Sequence, residues 1–270
     1  MPRAAMLASP SPDVVQLFKV LADETRLEIL RLLALTDLRV GEIVAHLGLP
    51  QNAVSYHLKQ LRRLRLLRDH RSSADARDIY YSVDLDHLQA LYAAAGTFLH
   101  PGMGLATAPA VDHRERPLRV LFLCTHNSAR SQMAEAITRH LGGDQVEVVS
   151  AGSEPTTVHP LTVELLDEWG IDTSRLDAKG LDRWVGQQFD YVITVCDRIR
   201  ENCPTFPGEP RLIHWSIPDP VEIAEEEQRR RAFAAARHEI STRIRHLLSL
   251  PHPATGQRLQ IRTRIPSPPG

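Results

Sequence analysis

The stretch CTHNSARS, residues 124–131, sets Cys124 six positions ahead of Arg130, with small and polar residues between them. It follows the apolar run LRVLFL directly. A strand that leaves its sheet through a short polar loop and re-enters as a helix aims successive backbone N–H groups into one concavity, and the helix N-terminus adds partial positive charge. Such a loop, Thr125, His126, Asn127, Ser128, Ala129 and Arg130, is built to hold an oxyanion. Arg130 supplies a guanidinium fork that grips two oxygens of a tetrahedral anion. The same field is expected to lower the pKa of Cys124 and favour its thiolate, the form that attacks. Ser131 stands where its hydroxyl reaches the sulfur, and Asn127 where it braces the loop from within. The spacing alone is a weak signal, because arginine is abundant in this chain and a cysteine is as often a small buried apolar residue.

Two more groups strengthen it. Cys196 and Cys203, seven apart in VCDRIRENCP, complete a set of three cysteines. All three fall after residue 117, in one stretch of the chain, where they favour redox chemistry or metal binding over a structural disulfide. Displacement at an oxyanion also needs an acid for the leaving oxygen. Asp219 in SIPDP is a candidate, held stiffly between two prolines, although an Asp there is also an ordinary turn residue.

These residues need a frame. LRVLFLC, VEVVSAG, FDYVITVC and RLIHWSI read as four buried strands. SARSQMAEAITRHLG, PLTVELLDEWG and the long EEEQRRRAFAAARHEISTRIRHLLSL read as helices between and after them. Alternation of this kind predicts an α/β domain with a four-stranded parallel sheet covered on both faces. Active sites in such sheets lie at the carboxyl ends of the strands, where Cys124, Cys196 and Asp219 all fall. A helix through 196–203 would hold its two cysteines about 10 Å apart along the axis. A disulfide needs Cα atoms within about 7 Å, so bonding them requires that segment to unwind.

The chain has 270 residues, 43% hydrophobic and 24% charged, with a net charge of -1. That composition is ordinary for a soluble globular protein of two domains and excludes a polycation; nucleic-acid binding must rest on a local patch. No signal peptide is legible and no run reaches the roughly 20 apolar residues of a membrane span, so a cytoplasmic location without membrane association is expected. HPGMGLATAPAVDHRERP, residues 100–117, reads as a linker, and residues 251–270 as a flexible tail. The domains are then 12–99 and 118–250.

The first of these is mainly helical. Val14, Leu17, Phe18 and Leu21 share one helix face; DETRLEILRLLA opens a second helix with Asp23 as N-cap; Val40, Ile43, Val44 and Leu47 mark a third, stopped by Gly48. A fourth, LPQNAVSYHLKQLRRL, turns Val54, Leu58 and Leu61 inward. Gln51, Asn52, Ser55, Tyr56, Lys59 and Arg63 fall on its other face. Two short helices about a glycine turn, the second polar and basic outside, describe a helix-turn-helix. LLRDH and IYYSVD, joined by RSSADARD, read as a hairpin wing carrying Arg71 and Arg77, and the basic excess over 59–77 reads as a phosphate footprint. Leu85, Leu88, Tyr92, Ala95 and Leu99 form a near-heptad seam that suits a homodimer.

KVLADETRLEILRLL and AVSYHLKQLRRLRLL resemble the ArsR family of winged-helix repressors, over about residues 13–99. The resemblance implies binding to operator DNA. Pro50 departs from it, standing where many members have a capping Ser. Arsenite-sensing members use cysteine thiolates in or near this domain, which here has none. Metal-binding members use Asp and His of the last helix; Asp84, Asp86, His87 and His100 are the candidates, without neat helical spacing, and no metal site is assigned. Sensing by the cysteines of the second domain is the remaining route.

Residues 118–248 resemble the low-molecular-weight tyrosine phosphatase fold, and more closely its thioredoxin-coupled arsenate reductases. The intervals of 72, 79 and 95 residues from Cys124 to Cys196, Cys203 and Asp219 match that branch. Phosphatases of the fold usually carry a cysteine at the place of Ala129 and lack the redox pair. The resemblance implies Cys124 as nucleophile, Thr125 to Arg130 as oxyanion loop, Ser131 as thiolate partner, Asp219 as general acid, and Cys196 and Cys203 as second and third redox cysteines. It implies arsenate as substrate, arsenite as product, and an external thiol donor, thioredoxin or similar, with no tightly bound cofactor. Some members bind potassium beside the loop; Asn127, Glu135 and Ser150 match, but Lys179 replaces a carboxylate, and its ammonium is the candidate substitute for the cation. The expectation is a repressor fused to an arsenate reductase. The alternatives are fusion to a tyrosine phosphatase or to a non-catalytic oxyanion sensor.

Overall fold

The computed structural model describes residues 12–100, 103 and 116–250. The linker expected at 100–117 lies mostly outside the described residues, and the tail at 251–270 wholly so. The described residues form two compact units. The second contains Leu35–Asp37 and Arg71–Ile79 as well as the α/β portion.

The first unit holds five helices: α1 Pro12–Leu21, α2 Glu24–Leu33, α3 Val40–Leu47, α4 Gln51–Arg63 and α5 Leu85–Leu99. Their termini follow local chemistry. Asp23 caps α2, its carboxylate accepting from Arg26 N at 2.9 Å. Gly48 ends α3 in the left-handed region, φ 65°, where a Cβ would be strained. Pro50 takes the N-cap place of α4 at φ -60° without a side-chain bond; its ring presets the entry angle. The apolar stripes meet in a core of Leu17, Ile29, Ile43, Val54, Leu58 and Leu61.

The wing strands are β2 Leu67–Arg71 and β3 Ile79–Val83. A third strand, β1 Leu38–Arg39, pairs antiparallel with β3 and sets the order β1–β3–β2. Two residues carry no period, so this strand is invisible in the sequence. Along α5 the expected seam divides. Ala95 is buried and Leu85 and Leu88 partly so, while Tyr92 and Leu99 are exposed beside the likewise exposed Phe98. α1 packs on α5. Asp84 is the N-cap of α5, accepting from His87 N at 3.1 Å and pairing with Arg68, and His87 Nε2 lies 3.1 Å from Leu64 O. These two candidate metal ligands thus have structural partners.

In the second unit β4 Leu118–Cys124, β5 Val146–Gly152, β6 Tyr191–Thr194 and β7 Arg211–His214 form a four-stranded sheet ordered β5–β4–β6–β7. Every pairing is parallel. Helices α6 Arg130–Gly142, α7 Pro160–Asp167, α8 Asp197–Glu201 and α9 Glu226–Leu248 complete it. β4 lies between two partners and is buried along nearly its whole length, which explains its unbroken apolar run. No described helix is long and apolar enough to cross a membrane.

Candidate active site

Cys124 is the last residue of β4, and Arg130 opens α6. The five residues between them form the loop. Asn127 bends it at φ 47°, a left-handed conformation that Asn tolerates better than most residues. Gly152 at the end of β5 lets the loop approach: a Cβ there would fall 2.5 Å from Thr125 O and 2.9 Å from Asn127 N. Any larger residue would push the loop off the sheet.

The loop turns its donors inward. Asn127 N donates to Cys124 Sγ at 3.0 Å, and Ser131 Oγ lies 2.8 Å from the same sulfur. Asn127 Nδ2 donates to Ser131 Oγ at 2.9 Å and to Ser150 Oγ at 2.8 Å. Its Oδ1 accepts from Gln132 Nε2 at 2.9 Å and Lys179 N at 2.7 Å. The buried Asn127 amide therefore ties together β5, α6 and the segment before residue 181. Gln132 was not singled out in the sequence, because nothing separates it locally from a surface helix residue.

Arg130 is buried, its guanidinium bonded to Ile217 O at 2.9 Å and paired with the carboxylate of Asp219. Cys124, Arg130 and Asp219 line one cavity of about 170 Å³, together with His126 and Ser128 of the loop. Thr125 points its hydroxyl toward Cys196, with Oγ1 3.4 Å from that sulfur. Ala129 is buried at the N-cap of α6. The three cysteines are free thiols. Cys196 caps α8, which ends at Glu201, two residues short of Cys203. The helix considered for 196–203 is thus already broken before the third cysteine, which is half-buried.

The expected lowering of the Cys124 pKa is corrected here. Burial pushes the thiol up, and neighbouring Cys196 adds to that push. Arg130, Ser131 and the Asn127 N–H pull it down without cancelling the rise. The local field was legible in the sequence; complete enclosure of the sulfur was not. Ser131→Ala should raise the thiol further. A hydrogen bond from Ser131 favours the thiolate, so its loss disfavours the charged form. With less thiolate at any given pH, alkylation of Cys124 by iodoacetamide should slow about 10-fold or more at pH 7, with the rising limb of its pH profile moved to higher pH. Mass mapping of the labelled peptide measures this, and an unshifted profile would show that the hydroxyl does not act on the sulfur.

Beside the loop, Lys179 Nζ sits 3.1 Å from Glu135 Oε2, and Arg139 and Ser150 Oγ also bond this carboxylate. Glu135 is 3% exposed. An ammonium and a guanidinium already neutralise the one carboxylate available to a cation, so these residues do not fit a bound potassium ion. Among the described residues no group of three or more His, Cys, Asp or Glu side chains is arranged to hold a metal.

The candidate DNA-contacting residues of α4, Gln51, Asn52, Ser55, Tyr56, Lys59 and Arg63, are all exposed, opposite buried Val54, Leu58 and Leu61. Part of the expected basic excess is paired: Arg62 with Asp69 at 2.9 Å, Arg68 with Asp84 at 2.9 Å and Arg77 with Asp75 at 2.7 Å. Arg71 donates to Ala76 O at 2.8 Å. Arg71 and Arg77 lie in the segment 71–79 that clusters with the second unit.

Residues 119–260 match the family of low molecular weight phosphotyrosine protein phosphatases, and residues 23–69 match the arsR family of bacterial regulatory proteins. The arsenate reductase of Halalkalibacterium halodurans is 37% identical over 127 residues, covering 47% of this chain and 91% of that protein. Arsenate reductase 2 of Staphylococcus haemolyticus is 37% identical over 125 residues, covering 46% of this chain and 92% of that protein. Among solved structures, the thioredoxin-dependent arsenate reductase of Corynebacterium glutamicum is 36% identical, covering 49% of this chain and 60% of that one, with a TM-score of 0.37.

Proposed function

The chain belongs to the low molecular weight phosphotyrosine protein phosphatase family and carries an arsR-family helix-turn-helix domain ahead of that portion; from this we propose that it couples a DNA-binding transcriptional repressor to an arsenate reductase. The observation that carries the proposal is the meeting of Cys124, Arg130 and Asp219 in one small cavity, with Cys196 held against the loop through Thr125.

The Cys124 thiolate attacks arsenic of an arsenate gripped by the loop N–H groups and Arg130. One oxygen leaves as water, protonated by Asp219, which must first exchange its pairing with Arg130 for the substrate. The Cys196 thiolate then attacks Cys124 Sγ. The S–As electron pair passes to arsenic, which leaves as arsenite, As(V) having become As(III), and a Cys124–Cys196 disulfide remains. Cys203 attacks Cys196, frees Cys124 as thiolate and forms the Cys196–Cys203 disulfide, and an external dithiol of thioredoxin type reduces it. Nothing in this sequence requires a bound metal or cofactor. Ala129 and the redox pair favour this reading over a tyrosine phosphatase, and among the described residues no Phe, Tyr or Trp lines the cavity to stack an aryl ester.

On the DNA side, Gln51, Asn52, Ser55, Tyr56, Lys59 and Arg63 present the recognition face to operator DNA, with Arg71 and Arg77 as wing contacts. Exposed Phe18, Tyr92, Phe98 and Leu99 supply the apolar surface of a homodimer through α1 and α5. A two-fold dimer of this kind binds half-sites about one helical turn apart.

The test uses the full-length protein with thioredoxin, thioredoxin reductase and NADPH. Arsenate-dependent NADPH consumption is expected, with slow hydrolysis of p-nitrophenyl phosphate. A protein inert on arsenate but fast on the aryl phosphate overturns the reductase reading in favour of a phosphatase. A protein inert on both, yet released from its operator by arsenate, is the sensor.

A further inference from the structure

Asp197, directly after Cys196, is 3% exposed and accepts hydrogen bonds on both carboxylate oxygens. Oδ1 receives Ser216 Oγ and lies 3.1 Å from His214 Nε2. Oδ2 receives the N–H and hydroxyl of Ser73, at 2.7 and 3.0 Å, from the 71–79 segment of the same unit. The other ring nitrogen of His214 lies 2.8 Å from Thr194 Oγ1, at the end of β6. Burial pushes the Asp197 carboxyl up, but the bonds from His214, Ser216 and Ser73 N outweigh it and hold the group well below the usual carboxylate range. Burial drives His214 toward the neutral ring, which fixes Nε2–H as donor to Asp197 and Nδ1 as acceptor from Thr194. The start of α8 is thereby pinned to the ends of β6 and β7.

The other end of the redox segment is held differently, by apolar packing: Cys203 lies half-buried against the core, and Phe206 beyond it is buried against Phe189. α8 is five residues long, so few backbone bonds hold it. Arg198 makes an exposed pair with Glu222 at 3.3 Å, of a kind worth little. Cys203 Sγ has a weak contact of 3.7 Å with its neighbour's carbonyl, Pro204 O.

We propose that Asp197, held by His214, Ser216 and Ser73, is a positioning residue that fixes Cys196 beside the loop for both thiol steps. The proposal rests on the reductase reading above. In the resolving step the Cys203 thiolate attacks Cys196 Sγ, the Cys124–Cys196 bond breaks, and its electron pair leaves on Cys124. With Cys196 fixed beside the loop, both attack on arsenylated Cys124 and attack by Cys203 occur at one place, and only α8 has to unwind. A drifting Cys196 would impair both thiol steps far more than the first attack by Cys124, whose sulfur is held by Asn127 N and Ser131.

The experiment compares the full-length wild type with Asp197→Asn and Ser216→Ala. Three readouts are taken: p-nitrophenyl phosphate hydrolysis, which needs no Cys196; thioredoxin-linked arsenate reduction; and, by peptide mass mapping after arsenate without reductant, the rate of disulfide formation at Cys196. Asp197→Asn should lower reduction and disulfide formation roughly 10-fold or more while hydrolysis stays within about 2-fold of wild type. Ser216→Ala, removing one donor of the set, should move the same readouts in the same direction by a smaller factor, and serves alone if Asp197→Asn does not fold. Equal loss of hydrolysis and reduction, or unchanged disulfide formation in the variants, overturns the positioning role. A wild type that does not reduce arsenate overturns the reductase reading instead, and the proposal falls with it.

Discussion

Cys124→Ser in the full-length protein is expected to lose both arsenate reduction and aryl phosphate hydrolysis, each by at least about 10³-fold. The serine hydroxyl keeps nearly the volume of the thiol, and its neighbours remain: Asn127 N at 3.0 Å, Ser131 Oγ at 2.8 Å, and the Asn127 side chain bridging Ser131 and Ser150. The loop should therefore stay folded and still hold an oxyanion through its N–H groups and Arg130. What disappears is the nucleophile, because a hydroxyl at this site has no base to take its proton and is far less acidic and less nucleophilic than a thiol. Steady-state kinetics on both substrates, with phosphate or arsenate protection against thermal unfolding as a check on the cradle, measure the effect. Residual turnover within tenfold of wild type would remove Cys124 from the reaction.

Cys203→Ser should separate the steps. Arsenate attack and the first thiol transfer use Cys124 and Cys196 alone, so the variant should release about one arsenite per chain in a burst and then stop, with Cys124 and Cys196 joined. Thioredoxin-linked turnover should fall by at least about 10²-fold. Hydrolysis of p-nitrophenyl phosphate should persist in protein kept reduced, since that reaction frees Cys124 with water. Quantifying arsenite per chain by rapid quench decides the matter. Continued multiple turnover would mean that the external donor attacks the Cys124–Cys196 bond directly and that Cys203 is dispensable. The resolving role also explains why burial, which pushes the Cys203 thiol up, is tolerated: the segment that carries it must come out of its packed position to react.

Much of this molecule is legible in its sequence, and the parts that are not share a cause. Helix ends marked by Asp23 and Gly48 can be read because capping is local chemistry. β4 can be read because a central parallel strand buries both faces and shows an unbroken apolar run. The proposed set Cys124, Arg130 and Asp219 can be placed because all three lie at or just beyond the carboxyl ends of strands in one parallel sheet. β1 cannot be read, since two residues at Leu38–Arg39 have no period and their strand exists only through pairing with Tyr80 and Tyr81. Lys179 on Glu135, His214 on Asp197 and Ser73 on Asp197 are contacts between residues far apart in the chain. The direction of the Cys124 shift failed for a related reason: the dipoles that lower it sit within seven residues, while the enclosure that raises it is assembled from the whole sheet.

The cysteines of this chain number three, and the proposed reaction uses all of them. No bystander thiol exists to blur a count. Fully reduced protein should take up three alkylating labels under denaturing conditions, and protein halted after one turnover should take up one. Intact-mass spectra of quenched samples would then separate reduced from oxidised chains, and peptide mapping would tell the Cys124–Cys196 bridge from the Cys196–Cys203 bridge, since each leaves one free thiol. On the reductase reading the protein is its own tracer for arsenate exposure, the mass shift of each chain recording that it has met the oxidant and not yet been reduced.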